Sequence, residues 1–404
     1  MIRLIFRFHL LVFAIVASGC SWFGDDDETE IKPAELKSFA EEIRVKKIWS
    51  KSVGGSSEKY WRSLQPSASD EMVFAASHDG RVSAMSISDG SRRWSTDLEV
   101  GISGGVGHGG GIVMIGTIEG KVIALDARDG TVAWTSQMKT EVLTSPKSNG
   151  QVAVVQTIDD KIYALDAVTG GEIWHHDGDA PILSVRGTSS PLVTSSMVVA
   201  GFDSGKLIAF NPDNGSIIWE TRVALPKGRT ELQRMVDIDG TPILVNDVIY
   251  AVSYQGRLGA ITRGTGRNLW FQDSSSHGSP AYGQAQVYVT EADDIVRAFK
   301  VGNGRSVWEN EGLFLRRLTS PTVLDEMVAV ADAEGYLHIL HSDDGRFVGR
   351  VKVDSSGIDA PMLNRSGRSW LVVDDHSVLT QQPIHKRGFA NIRPAHYSYL
   401  YSVR

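Results

Sequence analysis

Gly101-Ile-Ser103-Gly-Gly105 has the G-x-S-x-G spacing that presents a serine nucleophile, and His108-Gly-Gly-Gly111 has the form of an oxyanion loop. The overlapping Gly105-Val-Gly107-His-Gly-Gly110 fits G-x-G-x-x-G, a phosphate-cradling turn. The first and third motifs work only at a strand-to-helix turn, and the second needs the hydrolase sheet around it. His175-His176 offers two imidazoles to a metal, but neighbours on a strand point to opposite faces, and His338 and His341 have the same difficulty. Cys20 is the single cysteine in 404 residues, which excludes an internal disulfide and any zinc site built on two thiolates of this chain. The formal charge of −7 supplies no basic face for nucleic acid. Whether any of these groups does chemistry depends on the elements that hold them.

Those elements repeat. Ala84–Trp94, Ala124–Trp134, Ala164–Trp174, Ala209–Trp219, Ala260–Trp270 and Ala298–Trp308 are copies of one hairpin, each with a Gly four residues before the Trp. A seventh copy, Ile339–Gly349, keeps the spacing and has lost both markers. Pro66, Pro146, Pro191, Pro242, Pro280 and Pro321 each stand 28 residues before a Trp slot, with Val106 in that place in the second copy. Fourteen residues after this marker comes Gly80, Gly120, Asp160, Gly205, Gly256, Asp294 or Gly335. Each module reads as four short strands: one after the Pro, two flanking the mid-module turn, and a fourth that carries the Trp. Such a unit every 38–51 residues predicts an all-β fold, a β-propeller. Val106 therefore begins a blade with no helix after it, which removes the setting that the glycine motifs need.

Seven modules occupy residues 66–349, and an eighth begins at Pro361 and keeps register to a third strand at His376–Thr380. Pro383 then breaks the pattern. The missing fourth strand is supplied by Val45–Ser50 with Trp49, or alternatively by a strand carrying Phe389, which sits in the arithmetic Trp slot. Trp49 is preferred because it precedes Pro66 as the other tryptophans precede their next Pro. The prediction is eight blades over 45–382, the N-terminal strand closing the last one, with a basic and aromatic tail at 383–404.

At the front, Arg3 and Arg7 precede an apolar run, Leu10–Ala17, that is too short to span a bilayer and reads as a signal peptide over residues 1–19. Ala17-Ser18-Gly19-Cys20 resembles the bacterial lipobox, which implies a diacylglyceryl group on Cys20, and Ser21 in place of Asp implies transport to the outer membrane. Removal of the signal leaves 39 basic against 48 acidic residues. Residues 20–44 read as the lipidated cysteine and an acidic tether, and 33–44 as able to form a short helix.

With module length fixed, variation falls between each Trp and the next marker. Three of these connections are long, Trp49–Pro66, Trp174–Pro191 and Trp219–Pro242, and the last two belong to consecutive blades. They contain Leu183, Val185 and Arg186, and Asp237 and Asp239. Loops on a rigid scaffold are where binding residues concentrate. The plainer alternatives are that Leu183 and Val185 plug a gap between blades and that Asp237 and Asp239 form a solvated turn.

The A-x-D-x-x-x-G-x-x-x-W repeat resembles that of the quinoprotein dehydrogenases, whose cofactor site carries a vicinal cysteine pair; one cysteine cannot supply it, and no calcium ligands can be assigned. The lipobox, the acidic tether, the repeat and the stretch Ala333-Glu-Gly-Tyr-Leu-His338 to Gly357 together resemble the BamB family, propeller lipoproteins of the outer-membrane β-barrel assembly machinery. That resemblance implies a scaffold without enzymatic activity, cofactor or metal, anchored in the outer membrane and facing the periplasm. It implies binding to the periplasmic domains of the central barrel-forming subunit and help in folding outer-membrane protein clients. The family's Leu-x-Leu-Arg and Asp-x-Asp contacts fall on Leu183-Ser-Val185-Arg186 and Asp237-Ile-Asp239. Two other classes stay open: reception of a client strand on a blade edge, and a quinoprotein-type dehydrogenase.

Overall fold

The structure is a computed structural model, and it describes residues 32–45, 47–54, 64–179, 181, 183, 189–353, 357, 358, 360, 362–365 and 368–372. Contacts separate Met1–Pro33 from a second unit, Ala34–Arg404, and every strand among the described residues lies in the second. Seven four-stranded antiparallel sheets follow one another, each with its strands in chain order. They span residues 67–97, 102–137, 147–177, 192–222, 243–273, 281–310 and 322–352, blades 1 to 7 here. A two-stranded sheet, Leu363–Arg365 with Arg368–Val372, comes last, and its first strand neighbours the first strands of both blade 7 and blade 1. Among the described residues the one helical element is the 3-10 turn Leu232–Arg234. The chain is an all-β propeller.

The repeat markers have a physical reason. Each marker Ala is the cross-strand partner of its Trp, as in Ala124↔Trp134 and Ala164↔Trp174, so a small residue faces a large one. The indole then leans over the hairpin of the next blade. Trp94, Trp134, Trp174, Trp219, Trp270 and Trp308 donate their ring N–H to the carbonyls of Ala127, Ala167, Pro212, Arg263, Val301 and Ser342, at 2.7–3.0 Å. Each acceptor lies three residues before the hairpin Gly. That Gly meets two demands at once. Its φ is positive, as at Gly130 (+75°) and Gly215 (+71°), and an added Cβ would sit no more than 2.7 Å from the preceding blade's indole.

Trp49 behaves as a seventh member of this set. Its ring N–H donates to Ile87 O at 3.0 Å, and its indole lies on Gly90 of blade 1. Val45–Ser50 has no ladder pairing among the described residues, and its expected neighbour, His376–Thr380, lies outside them together with Phe389 and the tail.

The hydrophobic core is a ring of interfaces. One cluster joins Phe74 and Trp94 of blade 1 to Ile102, Ile115 and Leu125 of blade 2, and another joins Trp174 of blade 3 to Val198 and Phe210 of blade 4. Second strands are buried on both faces, as Val152–Gln156 is, while fourth strands bury little beyond the Trp.

The short helix expected within 33–44 does not form. From Ala34 onward the segment has no regular secondary structure, bends at Glu42 and lies on blade 7, where Ile43 is buried against Val348, Val353 and Met362. Too few hydrogen bonds are available to so short an isolated helix, and docking offers backbone partners instead.

Candidate partner-binding face

In a four-stranded antiparallel blade, the turn between strands two and three opens on the same face as the connection to the next blade. This face therefore gathers the mid-module turns, where Asp160, Asp294 and Asp332 sit, with the two long connections of consecutive blades, Trp174–Pro191 first and Trp219–Pro242 second.

Buried carboxylates anchor it. Asp294 accepts the backbone N–H groups of Arg317 and Leu318, each at 2.7 Å, and so fixes the connection from blade 6 to blade 7. Asp332 accepts Arg316 Nε at 2.8 Å. Asp160, fully buried, takes a long bond from Gln156 Nε2 and one from Asp203 N–H, both 3.4 Å. Its Oδ2 has no hydrogen-bond donor among the described residues and lies beneath Gly178, at the start of the first long connection. Burial, reinforced by the negative charges of Asp237 and Asp179, pushes the Asp160 carboxyl up to about 7.

The second long connection threads inward before it reaches blade 5. Val236, Asp237 and Ile238 are buried completely or nearly so, with Ile238 filling the space over Gly201. Asp237 O accepts the N–H of Tyr254 at 2.8 Å. Asp239 Oδ2 lies 3.3 Å from His277 Nδ1, and that imidazole stacks on Tyr254 at 4.1 Å. Asp237 and Asp239 are thus not a solvated turn. Both are buried within this face.

The rim is apolar. Leu183, Leu225 and Leu232 are 45%, 53% and 61% exposed, so Leu183 does not plug a gap between blades. Leu232 is presented by the 3-10 turn, whose approach is fixed by Arg229 N–H donating to Gln233 Oε1 at 3.0 Å and by Gln255 Nε2 donating to Leu232 O at 3.3 Å. Val185 and Arg186 lie outside the described residues, as does Cys20. Leu225, Leu232, Asp160 and His277 were not singled out from sequence. Asp160 had a signal, an acid where most modules carry Gly; the others had none.

The catalytic-looking motifs are structural. Ser103 donates its hydroxyl to Val142 O at 2.8 Å and belongs to the strand Ile102–Gly109, which another strand follows. His108 stacks on Phe74 at 4.9 Å. His175 and His176 point to opposite faces of Glu172–Asp177, toward Tyr163 and Phe210 respectively. No group of three metal-binding side chains exists among the described residues. No helix among them is long and apolar enough to cross a membrane.

The fold is thus a propeller of repeated four-stranded blades with exposed leucines and buried acids on one face. Residues 78–310 and 265–381 match the family described as outer membrane protein assembly factor BamB. Curated relatives of that name include one from Pseudomonas aeruginosa, 50% identical over 364 residues, covering 90% of this chain and 94% of that protein. The relative from Escherichia coli K12 is 35% identical over 378 residues, 91% of this chain and 96% of its own. The crystal structure of BamB from Moraxella catarrhalis superposes with a TM-score of 0.77 at 30% identity, over 84% of this chain and all of that one. The chain belongs to the BamB family. A europium-containing methanol dehydrogenase matches with a TM-score of 0.64 at 14% identity, over 79% of this chain and 82% of its own, a likeness of fold alone.

Proposed function

We propose that this chain is a non-enzymatic assembly factor for outer-membrane proteins that docks its loop face on the periplasmic domains of the central barrel-forming subunit. The observation that carries this reading is that exposed Leu183, Leu225 and Leu232 and the buried acids Asp160, Asp237 and Asp239 all belong to the turns and connections of one face. Exposed apolar anchors on a face that also holds acidic groups suit a protein interface, where desolvated anchor residues supply most of the affinity. Arg186 pairs with an acidic group of the partner while Leu183 and Val185 are buried, and Asp237 and Asp239 hold Arg186 in place or orient a basic partner group. The ring has eight blades, the two-stranded sheet and Val45–Ser50 forming the last, within a propeller spanning 45–382. Cleavage after Gly19 and lipidation of Cys20 anchor it in the outer membrane, facing the periplasm, with 383–404 as a tail.

The test is co-purification of the barrel-forming subunit from detergent-solubilised outer membranes with Arg186→Glu and Leu232→Asp variants. Both should lose the subunit while their unfolding midpoints stay at the parent value. Retention of the subunit by both variants discards this face as the docking site.

A second reading, reception of an unfolded client strand, is favoured by exposed Ile173, Ile217, Leu269 and Val307 on fourth strands, each of which pairs with its third strand and has no ladder on its outer edge among the described residues. Client crosslinks confined to the loop face would count against it.

A further inference from the structure

Blade 7 differs from the others in two ways: Gly349 occupies its Trp slot, and a second segment lies along its outer strand, Phe347–Lys352. That segment is Ala34–Arg44. The N–H groups of Glu42 and Ile43 both donate to Val348 O, at 2.9 and 3.1 Å, and Ala34 N–H donates to Phe314 O at 2.9 Å. The Ile43 side chain lies over Gly349, where a Cβ would come within 2.8 Å of it. Phe39 stacks on Phe347 at 5.6 Å, and Arg346 binds both carboxylate oxygens of Glu42 at 3.1 and 3.0 Å.

Two more guanidinium groups hold the segment's backbone. Arg316 Nη1 donates to Ala34 O at 3.1 Å and Arg350 Nη1 to Lys37 O at 2.9 Å. Both are set from below by Asp332 and His338, which are fully buried. Asp332 Oδ2 accepts Arg316 Nε at 2.8 Å and faces His338 Nε2 at 3.0 Å, while His338 Nδ1 meets Arg350 Nε at 3.0 Å. A guanidinium has only donors, so Nδ1 must be the bare acceptor and Nε2 must carry the proton toward Asp332. The imidazole is faced by Asp332 from the mid-module turn, Arg316 from the preceding connection, Arg350 from the fourth strand and Tyr336 from its own strand. Glu334 pairs with Arg316, and Glu41 acts on Arg350 from the docked segment.

We propose that Ala34–Arg44 is a latch, set by the neutral imidazole of His338 and released when that ring gains a second proton. A proton on Nδ1 would point at the Arg350 Nε–H, donor against donor, and would add positive charge between two guanidiniums. Arg350 would then leave its place under Lys37 and Phe39. Release uncovers the edge of Phe347–Lys352 and the hollow at Gly349, an unpaired strand edge of the kind that takes an extended peptide.

The test is hydrogen exchange of the Glu42 and Ile43 amides in the full chain at pH 7.5 and 5.5, corrected for intrinsic rates, with tryptic cleavage after Lys37 at pH 7.5 as a second reading. The parent should lose about three- to tenfold of its protection at the lower pH, the upper figure being the most that one proton on an imidazole of ordinary affinity can give, while amides of the buried strand Met327–Ala331 keep theirs. His338→Gln, whose amide can accept from Arg350 and donate to Asp332 without titrating, should stay protected at both values. Arg350→Ala should be open at both and cut after Lys37. Equal protection of the parent at both pH values, acid opening of His338→Gln, a closed Arg350→Ala, or opening of the latch only together with Met327–Ala331 would each overturn the proposal.

Discussion

Replacing Gly215 by Ala tests whether the repeat's glycine is required by its backbone or by its neighbour. Its φ is +71°, and a left-handed conformation costs a residue with a Cβ about 1–2 kcal/mol. The new Cβ would also lie 2.7 Å from the Trp174 indole, with its three nearest atoms all belonging to that ring. Carbon contacts sit at about 3.5–4.0 Å, and such overpacking costs about 1–3 kcal/mol. Gly215→Ala should therefore destabilise by about 2–5 kcal/mol, adding the two penalties. Trp174→Ala alone should cost about 3–5 kcal/mol, because it empties the gap between blades 3 and 4 and leaves Pro212 O without the indole N–H. In the double variant the clash is gone and only the backbone penalty remains. Urea unfolding of all four proteins should then show the second substitution costing about 1–3 kcal/mol less in the Trp174→Ala background. Additivity within about 0.5 kcal/mol would refute the view that one blade's indole dictates the next blade's glycine.

Asp160→Asn probes the buried acid of the loop face. Its carboxyl is raised in the folded protein, so its contribution is complete below the ordinary value of 3.8 and is lost as pH rises toward about 7. Relative to Asp160→Asn, the parent should lose up to about 4 kcal/mol between pH 4 and pH 8, since each pH unit separating the folded and unfolded carboxyl is worth about 1.36 kcal/mol. Identical pH dependence of the two proteins in urea would rule out an ionisation penalty at this site. Trp49→Ala should lower stability by about 3–5 kcal/mol, as loss of a buried Trp does, whereas Phe389→Ala should stay within about 0.5 kcal/mol of the parent. The reverse order in urea unfolding would give the last blade's aromatic slot to Phe389.

The propeller was legible because each marker answers to a constraint that recurs in every module. Ala faces Trp across the hairpin, Trp bonds a carbonyl three residues before the next Gly, and that Gly has room for neither a Cβ nor a negative φ. The face was legible only in outline. Loop length isolated the two connections, but not the fact that Val236–Ile238 turns inward, which depends on Gly201 leaving a space for Ile238 from another strand. Asp160 and Asp294 stood at a turn position where glycine is common, and their type alone could not separate a solvated turn from a buried anchor that binds the N–H groups of residues 317 and 318.

The seventh hairpin shows what periodicity hides. By the repeat, Gly349 is a lost marker, a degenerate slot without meaning of its own. In the structure it is the place that Ile43 fills, from more than three hundred residues earlier in the chain, and a Trp there would collide with it. The loss of Trp and the gain of Phe347, Arg346 and Arg350 around it belong together, since these side chains hold Phe39, Glu42 and Lys37. The departure from the repeat therefore marks where the ring accepts a segment that no blade supplies. Among the described blades this is the position at which the fold gives up its own aromatic wedge, and the wedge it takes instead can be withdrawn.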